Sequence, residues 1–304
     1  MIHKLLIVIA GPTAVGKTAL AIELAKKYGT EIISADSRQF YRELNIGTAK
    51  PVAGELDAVR HHFINSHSIT ENYDAAAFGK DALSLINDLF LQYDKVIMCG
   101  GSGLYIKAVC EGFDEIPEAP DEIRERLNND FEFYGITWLQ QQILEHDPEI
   151  AELIDMRNPH RMVRALEVKL ATGRSILAFR KHRKQEHPFR ITKIGLDLPR
   201  EILYDRIDRR MDEMISAGLF IEARNVYDFR NMNALQTVGY QEIFGFFENQ
   251  YDYDETVRLL KRNSRRYAKR QLTWFKRDPE FRWFNPINTN DITAYIDSFA
   301  NEIG

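Results

Sequence analysis

The sequence predicts an α/β protein: a parallel sheet flanked by helices and interrupted by a helical insertion. Three observations carry this. Short, continuously apolar runs alternate with stretches of helical spacing, as in strands covered on both faces. The first run ends in a glycine-rich turn that opens a helix. A long strand-poor stretch then separates the third apolar run from a fourth.

The elements follow in chain order. Lys4–Ala10 (KLLIVIA) is an unbroken apolar run closed by glycine, which suits a buried strand. Lys17–Tyr28 reads as a helix with Leu20, Leu24 and alanines on one face. Glu31–Ala35 is a second short strand. Tyr73–Tyr93 has helical spacing through Phe78, Ala82, Leu85, Ile86 and Leu89. Lys95–Cys99 is a third buried strand, stopped by Gly100 and Gly101. Prolines at 117 and 120 mark a change, and Ile191–Leu198 returns to strand character. The expected division is a catalytic core of 1–114 and 191–304 with a helical insertion of 115–190. Beyond Pro199 the chain reads as helical to about Trp274, broken at Gly218 and Gly239.

Composition narrows the class. A chain of 304 residues can bury one large core or a core with an insertion. With 44% hydrophobic and 28% charged residues it is an ordinary globular sequence, neither disordered nor fibrous. Its two cysteines, Cys99 and Cys110, lack metal-ligand spacing and point to a reducing compartment rather than a disulfide framework. No segment is long and apolar enough to span a bilayer, and the opening apolar run passes directly into the glycine turn rather than a cleavage site. A cytoplasmic monomer with no membrane partner is expected. The net charge of −5 hides two basic regions. Arg157–Lys193 holds 11 Lys/Arg against two acids, and Arg258–Arg277 holds nine Lys/Arg with none. Clustered charge of this kind suits a polyanion held at a defined place.

The strongest motif is Gly11-Pro12-Thr13-Ala14-Val15-Gly16-Lys17-Thr18, which fits G-x-x-x-x-G-K-[ST] between a strand and a helix. Glycines let successive backbone N–H groups turn inward around phosphate oxygens, and the helix N-terminus adds partial positive charge. Lys17 can reach the terminal phosphate, and the Thr18 hydroxyl can ligate Mg²⁺, the single cofactor expected. The core is thus expected to be of the P-loop NTPase type. The loop specifies a nucleotide-like diphosphate or triphosphate but no reaction: a kinase, an ATPase or a transferase could use it.

Asp36-Ser37-Arg38-Gln39 follows the second strand, so Asp36 is expected at the same strand ends as Lys17 and Thr18. It could cap a helix, assist a metal or accept a proton from a nucleophile. Gly100-Gly101-Ser102-Gly103 closes the third strand, either as a plain tight turn or as backbone close to a ligand.

Taken together, these segments resemble the tRNA dimethylallyltransferase (isopentenyl-tRNA transferase) family. The resemblance rests on GPTAVGKT (11–18), ISADSRQFYRELNIGTAKP (33–51), HHFINSHSI (61–69) and GGSGLYIKAVCEGF (100–113). It extends through NPHRMVRALEV (158–168), DRIDRRMDEMISAG (205–218), TVGYQE (237–242) and YAKRQLTWFKRD (267–278). No Cys/His cluster like the zinc-binding tail of eukaryotic members stands in these 304 residues, so the shorter bacterial type is expected. The resemblance implies that the N6 amine of the adenine 3′ of the anticodon attacks C1 of dimethylallyl diphosphate, in tRNAs reading codons that begin with U. It implies Asp36 as general base, the loop from Gly11 to Thr18 as the diphosphate cradle, and Arg209 as a charge on the leaving group. Without the family, Arg209 reads equally as a surface ion pair. The tRNA contacts implied are Asp36, Ser37, Arg38, Gln39, Ser102 (more often threonine in the family), Arg124, His160, Arg161, Met162, Val163 and Arg164. Gln236, Thr237, Val238, Gly239, Tyr240 and Gln241 complete that set for an anticodon stem-loop.

Arg258, Arg262, Arg265, Arg266 and Lys269 fall on one helical face, which reads either as a solvated surface or as a phosphate track. His61 and His62, adjacent on an extended segment, point opposite ways, so core or hydrogen-bonding roles are expected rather than one shared metal. Two competing functions remain at this level, a P-loop small-molecule kinase and a non-catalytic RNA-binding protein.

Overall fold

A computed structural model describes residues 4–180 and 184–301. In chain order the elements are β1 (Leu5–Ala10), α1 (Lys17–Tyr28), β2 (Ile32–Ser34), α2 (Ala53–Ala58), β3 (His61–His62), α3 (Ala75–Leu89), β4 (Lys95–Gly100) and α4 (Gly103–Cys110). Four helices follow, α5 (Asp121–Tyr134), α6 (Ile136–His146), α7 (Pro148–Ala151) and α8 (Pro159–Thr172). The chain ends through β5 (Arg190–Leu196), α9 (Arg200–Ser216), α10 (Leu219–Asn225), α11 (Tyr240–Phe247), α12 (Tyr253–Phe275), β6 (Phe281–Phe284) and α13 (Thr289–Asn301).

The six strands form one sheet in the order β3-β2-β4-β1-β5-β6, with every pair parallel. An apolar run needs both faces covered, and β1 is buried at all six positions. Because the side-chain period is two, β1 divides its residues between two cores. Leu6, Val8 and Ala10 face α3, α4 and α11, while Leu5, Ile7 and Ile9 face α1, α9 and α13. A parallel sheet collects all its strand C-termini on one edge. The turns after β1, β2 and β4 therefore open on the same side, as Asp36 requires. The edge strands β3 and β6 and the helix α13 escape the sequence reading. Two or four residues of edge strand carry too little periodicity to register.

The described residues fall into two compact units. One runs to Gly112 and resumes at Glu186; the other is Phe113–Gln185. The second unit has its own core of Leu127, Leu139, Ile143, Ile150, Met162 and Leu166. The chain rejoins the first unit earlier than the expected 190. Phe189 is buried in the main core, and the His187 ring nitrogen Nε2 lies 3.1 Å from the Cys110 carbonyl. Lys181 and Arg183 of the first basic stretch lie outside the described residues. Among the described residues, no helix is long and apolar enough to cross a membrane.

Candidate active site at the strand ends

The loop between β1 and α1 has the backbone its sequence requires. Gly16 caps α1 at φ 107, where a side chain would be strained, and Ala14 takes a left-handed φ of 63. No side chain caps α1 and its first turn carries no acid, so its leading N–H groups stay available to an anion. Lys17 folds back over the loop, with Nζ donating to the Pro12 carbonyl at 2.8 Å.

A cavity of about 160 Å³ opens beside this loop. Thr13, Ala14, Lys17 and Thr18 line it from one side, and Asp36, Arg38 and Gln39 from the end of β2. Thr237, Val238 and Gly239 form another wall, and Arg210 and Tyr267 reach in from α9 and α12.

Asp36 stands between cations and a phenol. Its Oδ1 accepts the Arg38 N–H at 3.0 Å, and Oδ2 has no hydrogen-bond partner among the described residues. The carboxylate is close enough to favour the charged forms of Lys17 and Arg210. Burial nevertheless lowers Lys17 to about 8, with Cys99 and Asp36 opposing and the Arg210 charge adding. Burial, and then the Asp36 charge, push Tyr267 up to about 12. Burial likewise holds Cys99 at about 12, a thiol rather than a nucleophile.

Several implied residues sit elsewhere than expected. Arg209 is a correction: its side chain is 67% exposed and pairs with Asp205 at 2.6 Å. One residue is about 100° of helix rotation, and it is Arg210 that turns inward, its NH1 lying 3.4 Å from Thr13 Oγ1. The Thr13 amide is not a free phosphate donor, because it donates to Gln271 Oε1 at 2.8 Å. Met162 and Val163 cannot touch RNA with their side chains, since both belong to the core of the second unit. Tyr240 is also buried, its hydroxyl donating to Glu222 at 2.7 Å.

Other residues are committed within the fold. Gln39 donates to the Thr48 and Ala49 carbonyls at 3.3 and 3.2 Å and accepts from Ser34. Ser102 accepts the Ser37 N–H at 2.8 Å and donates to its hydroxyl, joining the turns after β4 and β2. In the second unit, Arg124 and Arg164 share the buried Glu167 carboxylate, and Arg124, His160 and Arg161 are exposed. Gln236 and Gln241 are exposed and bond each other.

The basic face of α12 is partly neutralised by acids its own segment lacks. Arg258 pairs with Glu255, Arg265 with Asp208 and Lys261 with Asp212, the last two acids supplied by α9. Arg266, Lys269 and Arg270 stay exposed and enter no ion pair among the described residues. His61 and His62 bond separately: His61 Nδ1 to the Val59 carbonyl, and His62 Nε2 to Glu31 at 2.5 Å. His61 lines the cavity, and its buried Nε2 has no hydrogen-bond partner among the described residues.

Sequence reading passed over two organisers of this cleft. The Glu222 carboxylate accepts the N–H groups of Asn45, Ile46 and Gly47, each at 2.8 Å, as well as the Tyr240 hydroxyl. It thereby fixes the cavity wall from Gly47 to Pro51 against the segment at 237–239. Gln271, 7% exposed, bridges the phosphate loop to the turn after β4. Neither gives a local sequence signal.

A family model described as IPP transferase matches residues 39–278. The tRNA dimethylallyltransferase of Cytophaga hutchinsonii is 53% identical over 301 residues, 99% of each chain. That of Christiangramia forsetii is 48% identical over 297 residues, 97% of this chain and 98% of its own. Among solved structures, the full-length tRNA isopentenylpyrophosphate transferase of Bacillus halodurans aligns with a TM-score of 0.73 at 37% identity, covering 99% of this chain and 97% of its own. A eukaryotic dimethylallyltransferase acting on tRNA aligns at 0.72 and 26% identity, over 89% of this chain and 69% of its own.

Proposed function

The chain belongs to the IPP transferase family, the tRNA dimethylallyltransferases, and from that membership we propose how its cleft carries out the transfer. The prenyl donor is dimethylallyl diphosphate. The acceptor is the N6 amine of the adenine beside the anticodon, position 37, in tRNAs reading codons that begin with U. The observation that carries this reading is the convergence of Thr18, Lys17, Arg210 and Asp36 on one cavity.

The amine nitrogen forms a bond to C1 as the C1–O bond breaks. The bonding pair leaves on the diphosphate oxygen, and the amine proton passes to Asp36. An exocyclic adenine amine is a weak nucleophile, so alignment and a proton acceptor both count. Asp36 Oδ2, with no hydrogen-bond partner among the described residues, is the acceptor atom. Negative charge gathers on the leaving oxygen, where Lys17, Arg210 and the amides from Ala14 to Thr18 are the donors that stabilise it. Arg210 takes the role the family resemblance gave to Arg209.

Among the described residues, no cluster of three His, Cys, Asp or Glu side chains could cage a metal. The Thr18 hydroxyl, which lines the cavity at the start of α1, would be the protein ligand to Mg²⁺. When bound, the ion adds positive charge to the departing diphosphate.

The target base must leave its stack to enter the cleft, at a cost of about a few kcal/mol. Phosphate contacts from Arg266, Lys269 and Arg270 offset that cost. Arg124, His160 and Arg161 are exposed candidates for tRNA contact in the second unit. A cytoplasmic monomer completes the reading.

The test is incubation with labelled dimethylallyl diphosphate and unmodified tRNA, followed by nucleoside analysis. Label in N6-dimethylallyladenosine at one position supports the assignment. Phosphorylation from ATP with no labelled nucleoside would support the kinase reading instead.

A further inference from the structure

Gln271 occupies an unusual position for an uncharged side chain. Its amide is buried on α12, yet both ends bond backbone that belongs to the catalytic edge. Oε1 accepts the Thr13 N–H at 2.8 Å, and Nε2 donates to the Gly101 carbonyl at 2.9 Å. A buried primary amide left half-bonded is costly, so this bridge has a strongly preferred geometry. The fit is close: a Cβ on Gly101 would stand 2.4 Å from Nε2. One turn further along α12, Trp274 packs so near Gly103 that a Cβ there would stand 2.1 Å from its indole nitrogen. One turn earlier, Tyr267 lines the cavity. The helix is thus keyed into the β4–α4 turn at two points, and through Gln271 into the phosphate loop.

This arrangement commits the Thr13 amide to the protein and ties the start of the loop to α12. The amides from Ala14 to Thr18 are left to turn toward a diphosphate. We propose that Gln271 is a positioning residue of the transfer reaction. It sets the phosphate loop relative to the turn after β4, so that the leaving oxygen lines up with the amine held at Asp36. The proposal rests on the prenyl-transfer reading above. It concerns the alignment of the donor, not the recognition of RNA.

The experiment uses the full chain with Gln271→Met, which keeps side-chain volume and removes both hydrogen bonds. The expected result is a folded protein whose tRNA Kd stays within about twofold, with a raised KM for dimethylallyl diphosphate. Its single-turnover transfer rate should fall about tenfold or more, as expected when reacting atoms are misaligned. A lowered Tm with unchanged rate and unchanged donor KM would assign Gln271 to stability alone and overturn the proposal. Should Q271M lose the native fold, Gln271→Asn is read in the same way. It keeps an amide in the core but is one methylene too short to reach both loops. A normal rate in that variant, or loss of fold in both, overturns the proposal equally. Failure of the functional reading shows separately, as absence of prenyl transfer by the unsubstituted protein.

Discussion

Lys17 makes donor binding dependent on pH in a way the structure allows to be worked out. In the free protein its ammonium is held against the Pro12 carbonyl, and burial brings its pKa down from the usual lysine value to about 8. A bound diphosphate puts negative charge beside the ammonium and raises that pKa again. Binding above about pH 8 therefore takes up a proton. The sign follows from linkage: affinity is fully present below the free-state pKa and declines as pH rises through it. Between about pH 7 and about pH 9 the charged fraction of free Lys17 falls roughly tenfold, weakening binding by ~1.4 kcal/mol. Calorimetric titration of dimethylallyl diphosphate across this range, in buffers of different ionisation enthalpy, measures both the affinity and the proton uptake. Lys17→Arg is the control, since a guanidinium stays charged throughout and removes the step while keeping the ligand's own ionisation. Parallel pH profiles for wild type and K17R, or no proton uptake near pH 9, would refute the assignment.

Asp36→Asn should slow single-turnover transfer by about 10²–10⁴-fold while tRNA binding, measured by filter retention, persists; an unchanged rate would remove Asp36 as proton acceptor. Arg210→Ala should raise the donor KM and cut the rate by about 10²-fold, whereas Arg209→Ala, losing only an exposed pair with Asp205, should stay within about twofold of wild type. The reverse order would restore Arg209 to the site. Glu222→Ala leaves three backbone N–H groups and the Tyr240 hydroxyl without their shared acceptor, and should cost about 2–4 kcal/mol in urea unfolding. A loss below ~0.5 kcal/mol would mean that water replaces the carboxylate there. Raising salt should weaken tRNA binding steeply, and the salt slope should flatten by about one per charge in Arg266→Ala and Lys269→Ala. Identical slopes in the variants would take RNA off this face of α12.

The sequence by itself determined what contiguous residues encode. Eight residues from Gly11 to Thr18 carry the phosphate loop, because backbone conformation there follows from which positions are glycine. Unbroken apolar runs encode buried parallel strands, and parallel strands place their closing turns on one edge, where Asp36 lines the cavity with Lys17 and Thr18. Only the tertiary structure decided which neighbour in a pair faces inward. Arg209 and Arg210 are equivalent as letters, but the packing of α9 through Leu203, Ile207 and Met211 turns the second one to the loop. The same holds for charge on α12, whose stretch from Arg258 onward has no acids while α9 brings Asp208 and Asp212 against it. Gln271 meets Thr13 across 258 positions of chain. No local pattern encodes such a contact, because its partner is chosen by how helices close over the sheet.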